Sequence, residues 1–135
     1  MSASWALQQA VFAALAASDA VESVLGDPPR VFDCPPRGAA FPYCVIGEDE
    51  TRDWSTATEA GSEHLLAIQI WSRADGRKEA KLAAEAVRAA LDGAALAIDG
   101  QALIGIRHLA TETLRESDGE TIRATLKFRA VLEPT

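Results

Sequence analysis

Two histidines, two cysteines and one dense acidic run are the places in this chain where chemistry could stand. His64 follows Glu63 at the start of an apolar stretch, and His108 lies between Arg107 and Leu109. Together with Cys34 and Cys44 they could form a zinc site only by converging from four separate places, because no two have the spacing of a ligand pair. Glu48-Asp49-Glu50 suggests calcium, but the alternating acids, the glycine and the distal glutamate of a calcium loop are missing. The stretch from Gly100 to Gly105 lacks the spacing of a nucleotide fingerprint, there is no P-loop, and no serine sits in a nucleophile elbow. An enzyme would need a nucleophile with its base, paired carboxylates or a metal cage, and none can be nominated. No catalytic, cofactor-binding or metal-binding residue is therefore expected, and no cofactor.

What remains is a surface that suits a partner. Between positions 48 and 63, Glu48, Asp49, Glu50, Asp53, Glu59 and Glu63 face Arg52 alone, so this window carries −5 of the formal net charge of −7. Trp54 sits beside Asp53, beyond Gly47, and reads equally as core beneath its own hairpin or as an interface anchor. Arg123, Lys127 and Arg129 form a basic row on one strand face. That row reads as an ordinary solvated sheet face, or as the complement of the acidic stretch on a neighbouring subunit. Glu48, Asp49, Glu50, Arg52, Asp53, Trp54, Arg123, Lys127 and Arg129 are the candidate interface with another subunit.

The elements that must position these residues are legible from periodicity. Leu7, Val11, Ala14 and Leu15 make a helical stripe within residues 3–17, and Trp5 and Phe12 on its flank read as core. Ser18-Asp19 caps a short second turn that Gly26 ends, and Asp27-Pro28-Pro29 forbids any continuation. Tyr43 to Ile46 begins a strand, and His64 to Ser72 forms another with Leu66, Ile68 and Ile70 on one face. The two strands make a long β-hairpin whose far half is acidic and exposed. A helix opened by Asp75-Gly76 carries Ala80, Ala83, Ala86, Val87, Ala90 and Leu91 and closes at Asp92-Gly93. Strands over about 102–115 and 121–132 follow, the last with Ile122, Ala124, Leu126, Phe128, Ala130 and Leu132 inward. The expected fold is one α+β domain over residues 1–135: a mostly antiparallel sheet, two main helices on one face and an acidic hairpin arm.

Composition narrows the class. With 48% hydrophobic and 24% charged residues, the 135-residue chain is long enough for one core and too short for two. Thirteen bases against twenty acids argue against a surface that wraps nucleic acid. The start lacks a basic leader, no stretch is apolar enough to span a membrane, and the cysteines suit no disulfide framework, so a cytosolic site of synthesis is expected.

The order of motifs resembles one small family. Trp5-Ala6-Leu7-Gln8-Gln9-Ala10-Val11, Arg30-Val31-Phe32-Asp33 and Pro42-Tyr43-Cys44-Val45-Ile46-Gly47 come first. Ile68-Gln69-Ile70-Trp71-Ser72, Gly76-Arg77-Lys78-Glu79-Ala80 and Leu126-Lys127-Phe128-Arg129-Ala130 follow. Over nearly the whole chain this is similar to the tail terminator, or tail completion, proteins of long-tailed non-contractile phages and gene transfer agents. The resemblance implies a structural virion protein at the head-tail junction: a homo-hexameric ring that caps the tail tube and stops its polymerisation. It also implies contact with the tail tube protein and with head-tail connector (adaptor or stopper) proteins, and DNA crossing the lumen without specific binding. No membrane partner is implied. The alternatives are a head-completion or stopper protein, or a small cytosolic ligand-binding or enzymatic dimer.

Overall fold

The computed structural model describes residues 2–135. Helix α1 (Ala3–Ala16) begins where the Ser2 side chain accepts a hydrogen bond from the Trp5 amide. Ser18 does the same for α2 (Asp19–Leu25) through the Val21 amide at 3.2 Å, so each helix satisfies one of its orphan donors locally. The third helix, α3 (Lys78–Leu91), starts after Arg77 without a side-chain cap, two residues beyond the expected Asp75-Gly76 opening. Gly93 takes φ +69° just after its end, a conformation that strains any residue with a Cβ.

Five strands make one sheet in the order β1-β2-β3-β5-β4. They are β1 (Val31–Phe32), β2 (Tyr43–Asp53), β3 (Ser62–Ser72), β4 (Gln101–Arg115) and β5 (Ile122–Pro134). The short β1 runs parallel to β2, opposite Cys44 and Val45, and every other pairing is antiparallel. The fold is thus α+β as expected, with α1 and α3 as the two main helices and α2 as the short turn that Ser18 caps and Gly26 ends.

The core lies between the helices and one face of the sheet. Ile122, Ala124, Leu126, Phe128, Ala130 and Leu132 of β5 are all fully buried, as are Ile68 and Ile70 of β3, and they meet Leu7, Val11 and Leu15 of α1 and Val87 and Leu91 of α3 in one cluster. Each large side chain so buried contributes about 1.5–3 kcal/mol. Trp5 and Phe12 do not join them, remaining 47% and 46% exposed. Their flank of α1 is turned from the Leu7–Val11–Leu15 stripe and lines an open groove with Gln8, Gln9, Asp33 and Ile46. The other face of the sheet carries no helix, and the candidate residues gather there and along the sheet's edges.

Candidate subunit interface

The acidic half of β2 stays in the sheet. Its partner β3 is paired on both sides down to Ser62, with Asp53 on one flank and Leu132 on the other. What β2 loses after Ile46 is its outer neighbour, because β1 reaches only Cys44 and Val45. The register also slips between Ile46 and Asp49, placing two residues, Gly47 and Glu48, against Ala67. Glycine fits closely there: a Cβ on Gly47 would stand 3.1 Å from the Ala67 carbonyl oxygen, so a larger residue would push the strands apart by a few tenths of an ångström. The bulge re-aims everything beyond it. Asp49 and Thr51 fall opposite buried Leu66 and His64 on the helix-bearing face, and Glu50 and Arg52 fall on the open face.

Side-chain contacts hold this edge in shape. Ser4 Oγ donates to Asp49 Oδ2 at 2.5 Å, tying α1 to β2. Arg52 Nε donates to Glu50 Oε1 at 2.8 Å, and this bond holds the Glu50 carboxyl below its ordinary range. Asp53 is lowered likewise by Ser55, whose amide donates to Oδ1 at 3.1 Å. His64 is fully buried between two hydroxyls, Thr51 Oγ1 3.2 Å from Nδ1 and Ser62 Oγ 2.8 Å from Nε2. Burial pushes its pKa down, with Asp49 pulling weakly the other way.

The basic row is divided among three environments. Arg129 Nε donates to Glu63, a nearly buried carboxylate of the neighbouring strand, and its guanidinium lies 4.9 Å over the Trp54 ring. Trp54 is 52% exposed, so the core reading fails for it. Arg123 Nε lies 3.0 Å from Glu116 Oε1 as a charge contact without hydrogen-bond geometry, with its guanidinium 5.4 Å over Trp71. Lys127 pairs with no carboxylate among the described residues, and it lines an open groove of about 440 Å³ with Glu48, Glu50, Leu65, Ala67 and Leu109. One acidic residue of the window is therefore already joined to the basic row inside a single chain, through Glu63 and Arg129.

The groups that could do chemistry stay apart. Among the described residues no three of His, Cys, Asp and Glu gather as a metal site. His108 Nε2 lies 2.6 Å from Thr111 Oγ1 and its ring packs edge-on against Phe128. Cys34 is exposed, and Cys44 is buried with its thiol pushed up to about 12 by desolvation.

Two features of this surface were not apparent from residue types alone. The first is the outer edge of β4, exposed over most of Thr111–Arg115. The second is the bulge at Gly47, whose only sequence signal is the glycine that separates an apolar strand from an acidic one.

A family model for tail completion protein gp17 matches residues 9–133. A chain in the solved structure of the virion of a native gene transfer agent particle superposes with a TM-score of 0.91 at 34% identity, covering 98% of each chain. No match is found among curated proteins. The chain belongs to the gp17 tail completion family. Its role is structural, in the tail of a virion-type particle, and not enzymatic.

Proposed function

We propose that six copies of this chain close into a ring that caps a finished tail tube, halts its polymerisation and presents the upper face to the head connector. The observation that carries this reading is the superposition over 98% of both chains with a component of a gene transfer agent virion, joined to membership of a tail completion family. A gene transfer agent or phage particle is accordingly the proposed location of the assembled ring. The candidate residues fit the reading. Glu48, Asp49, Glu50, Arg52 and Asp53 occupy an edge of the sheet that no strand of their own chain covers, and Trp54 stands exposed at its end. Lys127 is the member of the basic row still free to meet a neighbour's carboxylate, whereas Arg123 and Arg129 are engaged within the chain. Acids facing a lumen would repel passing DNA over the 8–10 Å or so that physiological salt leaves unscreened.

The test is a termination assay. Purified protein added to polymerising tube subunits should shorten the tubes and appear as a disc at one end in negative-stain images. Tubes of unchanged length with bare ends would refute the capping role.

A further inference from the structure

The sheet has two outer edges, and each is covered by its own chain over only part of its length. On β2 the covered part is Cys44, whose amide donates to Arg30 O at 2.8 Å. On β4 it is Ile106 and His108: Gly93 N donates to Ile106 O, and Asp92 Oδ1 accepts from the His108 amide. Beyond these contacts, Asp49–Asp53 and Thr111–Arg115 are stretches of regular register with no outer neighbour. Neither carries a proline or a lysine, and the charges that each does carry are of both signs.

Backbone direction follows from the ladders. Trp54 N bonds Gly61 O, and bonded pairs alternate along an antiparallel ladder, so Asp49, Thr51 and Asp53 aim their amides and carbonyls outward. Glu116 N bonds Thr121 O, and the same alternation turns Thr111, Thr113 and Arg115 outward on β4. The four long strands alternate in direction, so a β4 edge laid beside the β2 edge of a like-oriented second copy is antiparallel to it.

We propose that these two edges pair between adjacent copies, with Asp49 opposite Arg115, Thr51 opposite Thr113 and Arg52 opposite Glu112. This rests on the ring reading and names the joint within it. The register is selected by side chains: it creates two opposite-charge pairs and one threonine pair, each a favourable cross-strand combination. A slip of two residues one way sets Glu50 against Glu112, and a slip the other way removes both charge pairs. Faces agree as well, since Asp49 and Thr51 share the helix-bearing side with Thr111 and Thr113. Thr51 lies in the row of His64, Ala130 and Ile106, and Thr113 lies opposite Ala124, six residues along β5. The joint therefore staggers successive copies by about 20 Å along the strands for about 19 Å across four of them. Strands so staggered tilt by about 45°, close to the tilt at which sheets close on themselves.

Glu50 and Leu114 form a non-bonded pair across this joint, the closer kind, which suits a disulfide. In a Cys34→Ser background, Glu50→Cys with Leu114→Cys should give a ladder of covalent oligomers on oxidation. Glu50→Cys with Glu112→Cys, two residues off register, should stay uncrosslinked. As a second arm, Arg52→Glu should abolish the ring seen by light scattering, and adding Glu112→Arg should restore it, with circular dichroism unchanged throughout. A ring-sized mass without the ladder, or without the rescue, overturns the edge pairing and leaves the ring reading standing. A monomer at every concentration overturns the edge pairing as a joint between free copies, and the termination assay then decides the capping role by itself.

Discussion

Arg129 of β5 donates to Glu63 of β3 inside one chain, and the same guanidinium lies 4.9 Å over the Trp54 ring. The contact joins the acid-rich hairpin to the basic strand without a second subunit. Glu63 is nearly buried and Arg129 reaches water along part of its length. Glu63→Ala should therefore destabilise the monomer by about 1–3 kcal/mol, toward the lower end because the abandoned guanidinium can rehydrate. Urea unfolding measures this directly, and an unchanged midpoint would mean the pair is incidental.

Trp54→Ala tests a different link. Its ring is half-exposed and contributes an exposed cation–π contact, so the fold should lose no more than about 1 kcal/mol. Together with Asp53→Ala it should weaken assembly while the melting curve of the monomer hardly moves. A melting loss as large as the assembly loss would return Trp54 to a purely structural role.

His64 gives a pH dependence whose sign can be worked out. Its folded pKa lies below the ordinary value of 6.5, so the unfolded chain takes up the proton first as pH falls. The stability tied to neutral His64 is whole above that value and declines as pH drops through it. His64→Gln keeps hydrogen-bonding capacity for Thr51 and Ser62 and removes the titration. Wild type should lose more stability than this variant between about pH 7.5 and pH 5. Equal losses would assign the effect to other groups.

The two cysteines should separate cleanly by reactivity. Cys34 is exposed, whereas Cys44 is fully buried and its thiol is held protonated far above neutrality. An aromatic disulfide reagent should label one thiol at once and the second only at the rate of unfolding. Fast labelling of both would mean that the β1–β2 edge opens readily.

Much of the fold was written in periodicity. The alternation of Ile122 to Leu132, the Leu66–Ile68–Ile70 face and the Ala80 to Leu91 stripe are local patterns, and all three describe the observed core. The site was harder to read because its geometry rests on pairing. One extra residue at Gly47 decides which acids face the helices, and periodicity before the bulge cannot say so. Arg129 and Glu63 lie 66 residues apart, so only the β3–β5 register brings them together. The parallel β1 is two residues long and leaves no repeat to detect. Trp5 and Phe12 read as core by residue type, yet burial of a helix flank depends on what packs against it, which no local pattern states.

The most direct measurement is the solution mass of the purified protein by light scattering on a sizing column, across concentration and salt. Six chains of 14.3 kDa make a species of about 86 kDa. A closed ring gives that mass and dissociates at high salt, where charge pairs such as Arg52 and Glu112 form the joint. A stable dimer indifferent to salt would contradict it.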